Sequence, residues 1–274
     1  MNRFVFALVS GLVLVLDLSI SQAALYPPYY GNAYDSENPG FGGVVAGGWL
    51  DVSANSTRVS ITFHKGNGSF QDNLVFFIDS VAGGVGSTRG FTDCSDALRT
   101  SVSGYYINWQ NVARRSTANF ASGFQADYAI ALGVNGPNAG TLYQIIGNEN
   151  ASTLVEPKPV GLNPNSDPGS ATYTLNFNWA DIGLMPGSGN GFRFESTYIT
   201  STGSRSLESF EKFTPESRNG YNSVTFQNYD VYGVAPIPET ANAALAIFAG
   251  LVITSGLATR AWRCLVRSPW QSRV

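Results

Sequence analysis

The chain has 274 residues, 43% of them hydrophobic and only 13% charged, with a formal net charge of −3. Charged residues usually make up about a quarter of a soluble domain, so polarity here rests on Ser, Thr, Asn and Gly, a mix that fits a turn-rich extracellular β domain and not a cytosolic helical enzyme. A single histidine excludes a histidine-based zinc centre formed from this chain alone, and the acidic balance argues against electrostatic capture of nucleic acid.

Residues 1–23 read as a signal helix for export. Arg3 supplies the positive start, Phe4 to Leu16 is apolar, and Ser21-Gln22-Ala23 places small residues where a signal peptidase reads. Cleavage is expected between Ala23 and Ala24. The apolar run is too short for the roughly 20 residues that span a bilayer. Residues 24–44 form an extended lead-in rich in Tyr, Pro and Gly, whose tyrosines offer, as an alternative, a sugar-contacting lip.

The body, residues 45–233, carries recurring strand signals. Arg58 to Lys65 alternates with period two and turns Val59, Ile61 and Phe63 to one face. Gly66-Asn67-Gly68 is a turn. Leu74 to Ile78 is a continuous apolar run, the pattern of a strand covered on both faces. Asp93 to Arg99 predicts one short helix capped by Ser95 or Asp93. Tyr128 to Val134, Tyr173 to Trp179, Phe192 to Ile199 and Ser223 to Phe226 complete the strands. Many strands and almost no amphipathic helix predict an all-β ectodomain, an antiparallel two-sheet β-sandwich of jelly-roll-like type.

After a linker at residues 234–240, Ala241 to Thr259 holds no charge and is followed by Arg260, Arg263 and Arg267. Nineteen residues at about 1.5 Å each span roughly 28 Å, a hydrocarbon core. The expectation is a single C-terminal transmembrane helix with a basic tail, residues 260–274, held in the cytoplasm. Cys94 and Cys264 then lie on opposite sides of the membrane and cannot pair; Cys94 is either a buried thiol or an exposed reactive one. Between Ala24 and Glu239 there are 18 acidic and 11 basic residues, so the ectodomain alone carries −7.

Pro236-Ile237-Pro238-Glu239-Thr240, one membrane helix and an arginine cluster resemble the PEP-CTERM sorting tail of bacterial exported proteins. Pro238 and Glu239 match the first two motif positions, and Thr240 stands where that family has a second proline. The resemblance implies an exosortase-type sorting enzyme as partner, and passage through the inner membrane to the surface or matrix. A second resemblance runs through Asp72 to Asp79, Asp127-Tyr128, Trp179 to Gly187 and Gly191 to Phe194. That order is similar to DOMON-like and family 9 carbohydrate-binding sandwiches. It implies a polysaccharide partner, with Trp179 as a packing residue.

Chemistry is sparse. His64 occupies a polar position on its strand, and no Gly-x-Ser-x-Gly elbow presents a serine to it. Glu195, Glu208, Glu211 and Glu216 are the carboxylates from which a polysaccharide hydrolase or lyase would draw a pair, but Ser206 to Phe213 reads as a solvated charged segment. No catalytic residue is expected. Asp72, Asp79, Asp93 and Asp96 are the candidates for a structural calcium site, since oxygen-rich loops suit that ion; capping and turn roles explain Asp93 and Asp96 equally well. The functional expectation is a non-catalytic exported envelope or matrix protein. The alternatives are a polysaccharide-binding module, which an exposed aromatic strip would favour, and a polysaccharide-active enzyme.

Overall fold

The computed structural model describes residues 28–33, 41–133, 140–164, 167–187 and 191–233. The predicted signal with Ala23 and Ala24, the motif Pro238-Glu239-Thr240, the 241–259 span and Arg260, Arg263 and Arg267 lie outside them. Among the described residues no helix is long and apolar enough to cross a membrane.

The described residues begin with two short strands, β1 (Tyr29–Tyr30) and β2 (Asn32–Ala33), then the hairpin β3 (Trp49–Ala54) and β4 (Arg58–His64), and cross to β5 (Asn73–Asp79). Helix α1 (Ala97–Ser103) follows, then β6 (Tyr105–Ile107), β7 (Ala113–Arg115), β8 (Ala118–Asn119) and β9 (Tyr128–Leu132). The long strands β10 (Gly140–Asn148) and β11 (Ala151–Pro159) lead to β12 (Gly161–Asn163) and β13 (Thr172–Asn178). A 3₁₀ turn, Trp179–Ile182, precedes β14 (Phe192–Ile199), and β15 (Glu208–Ser209), β16 (Val224–Thr225) and β17 (Asp230–Tyr232) close the body.

Among the described residues two large antiparallel sheets result, beside the two-stranded pairs β15-β2, β16-β8 and β6-β7. One runs β1-β3-β4-β13-β12, the other β11-β10-β9-β5-β14-β17. Alternation explains how they meet. Strand β4 turns Val59, Ile61 and Phe63 inward, β13 turns Tyr173, Leu175 and Phe177 inward, and both meet Leu74, Phe76, Ile78, Phe192 and Phe194 of the second sheet in one core. Trp179 closes the end of this core, its indole N–H donating to the Asn55 carbonyl at 2.8 Å. The packing role expected of it holds.

The second sheet is buried on its far face too. Val75 and Phe77 of β5, Ala129 and Ala131 of β9, and Tyr143 and Ile145 of β10 pack under a third layer that includes Val102 of α1, Phe91, Phe120, Phe213 and Phe226. Strand β5 is therefore buried at all seven positions, as its unbroken apolar run predicts. Among the described residues the five-stranded sheet is the one that keeps an open face.

Helix α1 starts later than predicted. Asp96, not Ser95 or Asp93, is its cap and accepts from the Arg99 N–H at 2.8 Å. Asp93 is occupied by the N–H and hydroxyl of Ser95. Gly104, at φ 65°, ends the helix in the left-handed conformation that glycine takes without strain.

Candidate functional site

The open face of the five-stranded sheet is built by register. Tyr30 lies opposite Trp49, Trp49 opposite His64 and His64 opposite Thr172. Directly paired residues point to the same side of a sheet, so three rings stand in one row. The next row is Asp51, Thr62, Thr174 and Asn163, and the one beyond is Ser53, Ser60, Asn176 and Gly161. An aromatic row thus borders two rows of hydroxyl, amide and carboxylate groups.

The rings are held in place. Trp49 and His64 stack with centroids 4.4 Å apart and planes 6° from parallel. His64 Nε2 meets Asp51 Oδ2 at 2.8 Å; a carboxylate accepts, so Nε2 carries the hydrogen. Thr62 and Thr174 join hydroxyls at 3.1 Å. Tyr30 is 67% exposed and Trp49 36%, so both present apolar surface to water.

Such a face can stack rings on sugar faces and hydrogen-bond their hydroxyls from the adjoining rows. Among the described residues His64 is hydrogen-bonded to Asp51 and to no serine or threonine hydroxyl. Ser60 sits four residues from His64 along β4, about 13 Å at 3.3 Å per residue. A separate cleft of about 200 Å³, lined by Tyr128, Leu142, Gln144, Lys158, Ala180 and Asp181, is below the roughly 300–1,000 Å³ of ordinary small-molecule sites.

The glutamates lie elsewhere, and one expectation about them is corrected. Ser206 to Phe213 is not a solvated segment: Glu208 and Glu211 are 0% and 1% exposed. The segment threads between the two cores, with Phe210 in the first and Leu207 and Phe213 in the second. Glu208 accepts from the N–H groups of Phe41, Gly43, Val45 and Ala46 at 2.6, 3.2, 2.8 and 3.2 Å, which meets the cost of burying its charge. Glu211 accepts from the N–H and hydroxyl of Ser196, both at 2.8 Å, and Glu195 accepts from the Ala121 N–H at 2.9 Å.

Burial pushes the Glu195 carboxyl well above the usual range; the Ala121 N–H opposes this, while Glu211, Asp79 and Asp230 reinforce it. Glu211 is also raised well above its usual value, first by burial and then by Asp230, with Ser196 opposing. Glu195 Oε2 and Glu211 Oε1 have no hydrogen-bond partner. Both acids stand toward their protonated form in a closed interior, out of reach of a polysaccharide chain. Glu216 is on the surface.

The four calcium candidates are not gathered into one site. Asp79 faces Arg193 at 3.2 Å; burial and then Asp127 raise its pKa to about 7, while Arg193 pulls it down. Asp93 and Asp96 both hold Arg99. Asp72 is half-buried, and burial followed by the Glu208 charge raises its pKa. Among the described residues no three His, Cys, Asp or Glu side chains come together as a metal ion requires. Cys94 is half-buried and unpaired.

Comparison with family models, curated proteins and solved structures returns no match. Of the open-face residues, His64 is singled out by the sequence as a polar strand position, and Tyr30 falls in the tyrosine-rich lead-in. Trp49 and Asp51 are missed. The signal that finds them is the alternation of Trp49-Leu50-Asp51-Val52-Ser53, in which Leu50 and Val52 turn inward and the other three outward.

Proposed function

We propose that the chain is a non-catalytic exported protein of a bacterial envelope or matrix whose body binds polysaccharide on the open face of its five-stranded sheet. The observation that carries the binding is the row Tyr30, Trp49 and His64 bordering the polar row Asp51, Thr62 and Thr174. The acidic body favours a neutral or cationic glycan over an anionic one. The paired crossings β4 to β5 and β13 to β14 support reading the sandwich as jelly-roll-like, with its DOMON-like resemblance. Export rests on the signal before Ala24. Sorting rests on Pro238-Glu239, the 241–259 span and the arginines after it, a PEP-CTERM arrangement with signal peptidase and an exosortase-type enzyme as processing partners.

The test is retention of the purified chain on a panel of insoluble neutral and acidic polysaccharides. The native chain is expected to be held by at least one neutral glycan, and Trp49→Ala or Tyr30→Ala to weaken retention about tenfold, the loss of one stacking contact. Retention by none, or retention that ignores both substitutions, removes the open face as the binding site.

A further inference from the structure

The β6–β7 hairpin exposes apolar surface that contributes nothing to either core. Trp109 at its apex is 87% exposed, and its shoulders Ile107 and Val112 are 44% and 50% exposed. The tip is held firmly in this form. Asn108 Oδ1 accepts from the N–H groups of Gln110 and Val112 at 3.0 and 2.8 Å. The Asn108 N–H donates to the Val112 carbonyl at 3.1 Å and the Asn111 N–H to the Asn108 carbonyl at 2.9 Å. Asn111 takes a positive φ of 59° to close the turn. The indole is thus presented to solvent by a braced loop.

Two arginines stand at the base of the tip. Arg114 lies over the Tyr221 ring at 5.1 Å, and Arg115 lies over Tyr105 at 4.8 Å while donating to the Phe91 carbonyl at 2.8 Å. From Ala97 to Ala126 there is no acidic residue, although the body as a whole is acidic. The third arginine of that stretch, Arg99, is held by Asp93 and Asp96. The hairpin therefore carries an apolar point with one exposed arginine, Arg114, behind it.

We propose that this hairpin is a wedge for an anionic lipid surface. Tryptophan favours the headgroup boundary of a bilayer, where its ring sits in apolar surroundings and its N–H stays wet. Just behind it the exposed Arg114 guanidinium matches a lipid phosphate, while Arg115 is half-buried and braces the hairpin through the Thr88 and Phe91 carbonyls. The amides of Asn108, Gln110 and Asn111 limit insertion to that boundary, since they need water or headgroup partners. Three side chains are too little for a stable protein interface, which buries about 800 Å² per partner. An exposed tryptophan with a flanking arginine suits a shallow contact with a lipid headgroup layer.

The experiment uses the full chain reconstituted in vesicles whose acyl chains are brominated, made of phosphatidylcholine with or without phosphatidylglycerol. The readout is tryptophan fluorescence. Subtracting the quench in Trp109→Ala from that in the native chain isolates Trp109 from the other four tryptophans, Trp49, Trp179, Trp262 and Trp270. Trp109 is so exposed that its loss leaves the fold intact, which circular dichroism checks. The expected result is a Trp109 quench that is larger in the anionic vesicles, with the excess falling about fivefold in Arg114→Gln. No Trp109 quench in either vesicle overturns the proposal and leaves a protein partner for the tip. Equal quench in neutral and anionic vesicles overturns the assignment to anionic lipid.

Discussion

Replacing Glu208 with alanine tests whether one buried carboxylate organises the amino-terminal edge of the body. Its two oxygens take four backbone N–H groups, from Phe41, Gly43, Val45 and Ala46. Hydrogen bonds to a charged group contribute about 1.5–3 kcal/mol each, and a donor left buried and unpaired costs about 1–3 kcal/mol. Val45 is buried; the bonds from the other three are only partly so, and those donors can recover water. Allowing for that recovery, the loss is about 4 kcal/mol, equivalent to roughly 8–16 °C in Tm for a body of this size. Glu208→Gln keeps the volume but turns an amide N–H toward two of the donors, so it falls between native and alanine. Urea unfolding with an unchanged slope, together with amide exchange over residues 41–46, reads both effects. Glu216→Ala, a surface change, is the control and stays within about 0.5 kcal/mol. If Glu208→Ala costs less than about 1 kcal/mol by the same measure, the carboxylate does not hold that segment and the reasoning fails.

Two more expectations concern pH and processing. Glu195 and Glu211 are raised by burial, Asp230 is raised by burial to about 6, and Asp79 is raised by burial and Asp127 to about 7. Each keeps its proton in the folded state at pH values where the unfolded chain has released it. Their contribution is therefore greatest at the acidic side and declines as pH climbs from about 4 to 7. Unfolding midpoints should be higher at pH 5 than at pH 8, and Glu195→Gln should flatten the difference; a midpoint that climbs over the same range contradicts the assignment. Replacing Pro238 and Glu239 together should leave unprocessed chain in the membrane fraction, and a double variant processed and located like the native chain refutes their recognition role.

Much of the sandwich is legible because its strands obey one of two simple patterns. Strand β4 alternates, β5 is apolar throughout, and β14 begins and ends where its sequence says. Strands β10 and β11 carry neither pattern for physical reasons. Gly140 and Gly147 dilute the first, and Pro157 and Pro159 sit in the second, where proline is tolerated because β11 is the sheet edge. The third layer was also hidden. Several of its apolar residues, such as Phe91, Phe120 and Phe213, follow neither period because they lie outside the named strands and the helix. The burial of Glu208 and Glu211 was equally unreadable, since the groups that satisfy them come from Phe41 to Ala46 and from Ser196. At the open face the alternation was present in Trp49 to Ala54, but the alignment of Tyr30, Trp49 and His64 depends on pairings between strands that no single segment reveals.

The stitching of the first strands to the last has a consequence for how the chain matures. Asn32 pairs with Ser209 and Ala33 with Glu208, and the Tyr29 hydroxyl donates to the Val231 carbonyl at 2.6 Å. Strand β1 finds its partner β3 early, but whether emerging from a ribosome or from a translocation pore, β2 and the Tyr29 hydroxyl have no partner until nearly the whole body has followed them. Closure of such distant partners is slow, so completion is a late event after release, and the interval before it is when holding factors or proteases would meet the chain.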